Sequence, residues 1–78
     1  MRRVIPLGDV INLKRSLAQA CPTVTVHLHD VCGGQTLSLD GDAGACACAK
    51  GQTERFFATR GMHVAFDAAG TTFWGVWE

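Results

Sequence analysis

Residues 23–29, Thr-Val-Thr-Val-His-Leu-His, decide the fold, because apolar and polar side chains alternate along them without interruption. A period of two is typical of a half-buried strand, with the two valines and the leucine on the inner face. The glycine pair at 33–34 supplies a flexible turn, and residues 36–40 return with their two leucines inward. This stretch therefore predicts a β-hairpin.

An amphipathic helix is predicted ahead of the hairpin. Asp9 can cap its N-terminus, Leu7 is placed as a hydrophobic staple, and Pro22 ends the helix. Six apolar positions follow the 3.6-residue period: Val10, Ile11, Leu13, Leu17, Ala18 and Cys21. Residues from about 7 to 40 therefore form a first helix-hairpin unit, in which Cys21 is a core residue.

The second half of the chain repeats this pattern forty residues later. The shift brings Val24-Thr25-Val26 over Val64-Ala65-Phe66. A short helix is predicted from residue 52 or 53 to residue 60, with Gly61 as its C-cap. His63 begins a strand, and the last strand, residues 72–77, carries both tryptophans. A second helix-hairpin unit thus occupies residues 51–78.

Two such units pack most simply as one α+β domain, residues 1–78, in the order α-β-β-α-β-β. The prediction is a two-layer sandwich, in which a four-stranded antiparallel sheet carries both helices on one face. A loop over residues 41–50, which contains Cys46 and Cys48, joins the two halves. The other sheet face is bare and would carry polar side chains and tryptophan.

Composition excludes several classes of protein. The chain has 78 residues, of which 47% are hydrophobic and 18% charged, so it is too apolar for a disordered protein. Seven basic and seven acidic residues cancel and form no long basic run, which argues against nucleic acid binding. Neither an uninterrupted signal-peptide core nor an 18-residue apolar run is present, so we predict a cytoplasmic protein that does not enter the membrane.

Three of the four cysteines and two of the three histidines lie within residues 27–48. Thiolate and imidazole bind zinc and other soft transition metals and carry redox reactions. The candidate ligands are Cys32, Cys46, Cys48, His27 and His29. Each has a plain alternative, because strand histidines are often solvated polar residues, cysteines often pack as small hydrophobes, and the protein can equally hold no cofactor.

The spacing of the cysteines suggests how they meet. In an extended loop, Cys46 and Cys48 would project to the same side and reach one metal ion or one oxidant. Cys32 lies at the hairpin tip, and the connection after residue 40 is long enough to fold back toward it. Because the loop leads into the second helix, whose N-terminus carries partial positive charge, we predict that Cys46 and Cys48 are the most reactive thiols.

The run from Val26 to Gln35, His-Leu-His-Asp-Val-Cys-Gly-Gly within it, resembles a small bacterial family labelled RDAC. The later Cys46-Ala47-Cys48 and Gly61-Met62 fit the same resemblance. The family has no established activity. The resemblance therefore implies that Cys32, Cys46 and Cys48 matter, and it implies no reaction.

Two functions compete at this point. The first is a small thiol- or metal-dependent binding protein that uses the cysteine loop. The alternative is a non-catalytic interaction or dimerisation module, whose sheet face docks a second copy, another protein or a small molecule through His27, His29, His63, Trp74 and Trp77. An enzyme is the least favoured of three interpretations, because the motifs supply neither a base-nucleophile pair nor a cofactor fingerprint.

Overall fold

The computed structural model describes residues 2–31 and 34–77. The predicted order of two helices and four long strands is confirmed, and a two-residue strand precedes it. The elements are β1 (Arg2–Arg3), α1 (Leu7–Ala20), β2 (Thr25–Val31), β3 (Gly34–Asp40), α2 (Ala43–Ala58), β4 (His63–Phe66) and β5 (Thr72–Val76).

All pairings in the sheet are antiparallel. The hairpin β2–β3 pairs along its full length, with Val26 opposite Leu39. Strand β5 carries β4 on one edge, and its other edge is shared between β3 and β1. The side-chain amide of Gln35 extends this arrangement, because it accepts from the Ile5 N–H at 2.7 Å and donates to the Ile5 carbonyl at 3.0 Å. The N-terminal segment is thereby held in the sheet.

Both helices cover the same sheet face, as predicted, and the core lies between the layers. The strands contribute the inward positions that strict alternation assigns to this face. Helix α1 contributes one apolar stripe, and α2 contributes a stripe that includes Phe57. The buried apolar residues are Ile5, Val10, Leu13, Leu17, Cys21, Val24, Val26, Leu37, Leu39, Cys46, Ala49, Phe57, Met62 and Phe73.

The prediction that residues 41–50 form a loop is wrong. Helix α2 begins at Ala43, and the side chain of its N-cap Asp42 accepts from the Ala45 N–H at 2.7 Å. The stretch that follows alternates alanine with cysteine, and alanine has the highest helix propensity. The cap and the alanines therefore start the helix about nine residues before the position that the sequence pattern suggested.

Close approach of β1 to β5 depends on Gly75. A Cβ atom at this position would overlap the carbonyl oxygen of Arg3 and crowd the Ile5 side chain. Since Ile5 is a core residue, a glycine here allows the N-terminal segment to reach the core across β5.

Candidate functional site

Cys46 and Cys48 lie on opposite sides of α2. Two positions along an α-helix are separated by about 200° around its axis, so their side chains diverge. Cys46 projects toward the sheet, and Cys48 projects toward the C-terminal end of α1. The prediction that the two thiols share one side of an extended segment is therefore wrong, and their sulfurs do not form a joint metal site.

The Cys46 thiol is part of the core. Its side chain is 5% exposed, and its Sγ lies 3.6 Å from the carbonyl oxygen of Gly41 and 3.8 Å from that of Leu39. A thiol is a weak donor, so these contacts satisfy it without activating it. Although Cys46 is in the first turn of α2, its sulfur is directed at carbonyl oxygens that end β3, and it behaves as a packing residue.

Cys48 instead meets Cys21, the C-cap residue of α1. Their Sγ atoms are 3.1 Å apart, and both thiols are free. Cys21 is 5% exposed, whereas Cys48 is exposed. Burial, and then the adjacent Cys48 sulfur, raise the pKa of the Cys21 thiol to about 11. The assignment of Cys21 to the core is confirmed, but the sequence did not reveal its partner.

Both histidines of β2 lie on the bare face. His27 Nε2 is 3.7 Å from Asp40 Oδ2, and His29 Nε2 is 3.0 Å from Ser38 Oγ. These partners are neighbours across the hairpin, so each imidazole is held by an ordinary cross-strand contact. The sheet separates them from α2 and its cysteines.

The predicted metal ligands are therefore not assembled. His27 and His29 lie on one side of the sheet, Cys46 lies in the core on the other, and Cys48 is turned toward α1. Within residues 2–31 and 34–77, no three histidine, cysteine, aspartate or glutamate side chains are grouped so that they could hold a metal ion. Cys32 lies outside the described residues.

The two tryptophans do not share a face. Trp74 lies opposite Ala65 on the bare face and is partly buried. Trp77 follows β5, is 56% exposed, and its ring centroid lies 4.7 Å from the guanidinium carbon of Arg3. Because Arg3 is paired with Gly75, which faces the helix layer, the Arg3–Trp77 stack lies on that side. The bare face therefore contains His27, His29, His63 and Trp74, without Trp77.

A cleft of about 550 Å³ lies between the first half of α2 and the β4–β5 turn. Lys50 and Asp67 line it, but both are engaged in the fold. The Lys50 ammonium is 5.4 Å from the Phe66 ring centroid. Asp67 accepts from the backbone N–H groups of Thr71 and Thr72, and the bond from Thr72 and then that from Thr71 lower the pKa of its carboxyl group. We therefore assign Lys50 and Asp67 a structural role, in which Asp67 closes the turn between β4 and β5.

No protein-family model, curated protein or solved structure matches this chain. The resemblance to the RDAC family accordingly stays a prediction. In the described part of the chain, neither helix has the length and apolar character needed to cross a membrane.

Proposed function

We propose that the protein is a small thiol-dependent protein that exchanges disulfides through Cys21 and Cys48. The single observation that carries this proposal is the 3.1 Å between the two sulfur atoms. The thiols lie 27 positions apart in the chain, so tertiary packing alone brings them together. This distance exceeds the length of a disulfide bond, about 2.05 Å, by only about 1 Å.

The reaction is a two-electron exchange with a partner disulfide. One cysteine, as thiolate, attacks a partner sulfur, forms a mixed disulfide and releases one partner thiolate. The second cysteine then attacks the mixed disulfide, closes the Cys21–Cys48 bond and releases the other partner thiolate. The two protons lost by the cysteines end on the two partner thiols, so the pair is oxidised while the partner is reduced.

Closure of this bond would join the two helices covalently. Cys21 caps α1, and Cys48 lies in the second turn of α2, so the β2–β3 hairpin falls inside the closed loop. We assign the protein to the cytoplasm in this proposal, because thiols there are kept reduced and a free pair can respond to oxidation.

A redox titration in buffers of defined glutathione ratio tests the proposal. We expect the native protein to lose two free thiols in one transition, and peptide mass mapping to find the Cys21–Cys48 disulfide. Cys46→Ser should keep this transition, whereas Cys21→Ser and Cys48→Ser should each abolish it. A native protein that retains all four thiols under strongly oxidising ratios, or that pairs other cysteines, would contradict the proposal.

Self-association through the bare sheet face is the second candidate function. No helix of the described chain covers this face, and none of the described outward side chains of β2 to β5 is lysine or arginine. Two copies could therefore approach face to face without repulsion between cations, and the partly buried Trp74 would lie between them.

Sedimentation velocity over a range of concentrations tests this second function. We expect a concentration-dependent dimer that Trp74→Ser weakens at least about tenfold, as is typical of an interface tryptophan. Trp77→Ser is the matched control, because Trp77 stacks on Arg3 away from this face. A monomer at all concentrations, or equal effects of the two variants, would contradict face-to-face association.

A further inference from the structure

We propose that Cys48 is the sulfur that bonds the partner, that Cys21 only resolves the mixed disulfide, and that the partner is a small-molecule disulfide admitted beside Gly51. This inference rests on the proposed function, since it assigns roles within the Cys21–Cys48 pair. Three features of the structure support it: the unequal exposure of the two sulfurs, their 3.1 Å separation, and an open surface beside Cys48.

Unequal exposure decides which sulfur reacts first. Cys21 is 5% exposed at the end of α1, and Cys48 is exposed. A partner disulfide must touch the sulfur that attacks it, because exchange proceeds through a mixed disulfide. Cys48 can make that contact from solvent, whereas Cys21 is reached only if the junction of α1 and α2 opens.

The 3.1 Å separation of the two sulfurs suits the second step. Thiolate attack on a disulfide requires the attacking, central and leaving sulfurs to lie roughly in line. A partner sulfur bonded to Cys48 from solvent would lie on the far side of Cys48 from Cys21, whose Sγ is 3.1 Å from that of Cys48. Cys21 is therefore placed behind the central sulfur, and the partner thiolate leaves into water.

The surface beside Cys48 is open at Gly51. Gly51 is one turn from Cys48 and adjoins it on the helix surface. A Cβ atom at Gly51 would meet nothing within 4 Å, so close packing against another element does not require glycine here. Glycine inside a helix lowers helix stability by about 1 kcal/mol relative to alanine. The fold therefore does not explain why α2 has a glycine at its middle. We infer that the missing side chain leaves room for the partner.

Chemical balance follows from these roles. Cys48, after losing its proton to solvent, attacks the disulfide R–S–S–R and gives Cys48–S–S–R and one R–S⁻. Cys21 then loses its proton, attacks the Cys48 sulfur and gives Cys21–S–S–Cys48 and a second R–S⁻. The two released thiolates take up the two protons, so one partner disulfide yields two thiols.

A steric variant tests admission beside Gly51. With glutathione disulfide as the probe, we expect Gly51→Leu to slow formation of the mixed disulfide about tenfold, and Gly51→Ala to slow it less, because access limits the exposed thiol. Gly8→Leu is the matched control, since Gly8 is also helical and also has nothing within 4 Å of a Cβ atom, but lies near the start of α1. Equal rates in Gly51→Leu and Gly8→Leu would overturn the admission role.

A trapping experiment tests the roles of the two sulfurs. Cys21→Ser should accumulate one glutathione on Cys48, while Cys48→Ser should leave Cys21 unmodified in the folded protein over the same time. Rapid acid quench of the native protein should find the early adduct on Cys48, which checks the assignment without a variant. Capture by Cys21 at a similar rate would overturn this inference and leave the proposed function standing, whereas a native protein without an internal disulfide would overturn the proposed function itself.

Discussion

Two sulfur sites on α2, two positions apart in the chain, have opposite surroundings. Cys46 lies against the sheet, with carbonyl oxygens as its neighbours, and is sealed from water. Cys48 lies toward α1, 3.1 Å from a second sulfur, and is exposed. The difference shows that identical side chains in a Cys-Ala-Cys run acquire unlike chemistry from helical phase alone.

The sharpest test of this contrast is alkylation of the reduced native protein. We expect iodoacetamide to label Cys48 about 1000-fold faster than Cys46, because Cys46 reacts only after a local opening that costs about 4 kcal/mol. Peptide mass mapping at timed intervals gives both rates, and denatured protein, in which they should be equal, is the control. Comparable native rates would remove the distinction between the two sites.

Oxidation should stabilise the protein by forming the Cys21–Cys48 disulfide. A disulfide across 27 positions is expected to raise the free energy of unfolding by about 3 to 4 kcal/mol, mainly by restricting the unfolded chain. Denaturant titration of the oxidised and reduced protein measures this difference. An oxidised form no more stable than the reduced one would mean that the bond strains the junction between α1 and α2.

Replacing Cys46 or Cys48 by alanine in the reduced protein should show which of the two thiols contributes to core packing. Cys46→Ala is expected to lower the free energy of unfolding by about 2 kcal/mol, because it leaves a small cavity in the core. Cys48→Ala should change it by no more than about 0.5 kcal/mol, as at other exposed positions. Denaturant titration checks both values, and a reversed order would contradict the assigned environments.

The pH dependence of the resolving step should report the buried Cys21. Burial is the largest cause of the raised pKa of this thiol and persists when Cys48 carries glutathione, so we expect its thiolate fraction to keep growing from pH 9 to pH 10, by at most about tenfold. Decay of a preformed glutathione adduct on Cys48 should accelerate by the same factor, measured by quench and mass. A rate that levels off near pH 9, as for an unshifted thiol, would contradict attack from a buried Cys21.

The core face of α2 contains one further polar group. Thr53 is 0% exposed, and its Oγ1 has no hydrogen-bond partner in the described structure. Thr53→Val keeps the shape and removes the unsatisfied hydroxyl, so we expect the free energy of unfolding to rise by about 1 kcal/mol. Denaturant titration measures this, with Thr59→Val as control because Thr59 Oγ1 donates to the Phe56 carbonyl. A loss of stability in Thr53→Val would contradict the missing partner.

The hairpin, the first helix and the bare sheet face were all predictable from local patterns, but the predicted Asp9 cap was wrong, because α1 begins at Leu7 with Pro6 as its N-cap. Alternation over residues 23–29 identified the inner and outer faces of β2, and the outer assignment of His27 and His29 is confirmed. The second helix was predicted to start too late, because cysteines and glycines among the alanines obscured its apolar stripe. An Asp42 cap before an alanine-rich run was the signal available for its true start.

The sequence by itself determined the order of elements, the α+β class and the burial of Cys21, because each depends on periodicity over a few neighbouring residues. Only the tertiary structure decided that the Cys21 thiol lies against the Cys48 thiol and not against the Cys46 thiol. Contact between thiols 27 positions apart requires α1 and α2 to pack side by side in one relative register, and no local pattern encodes that register.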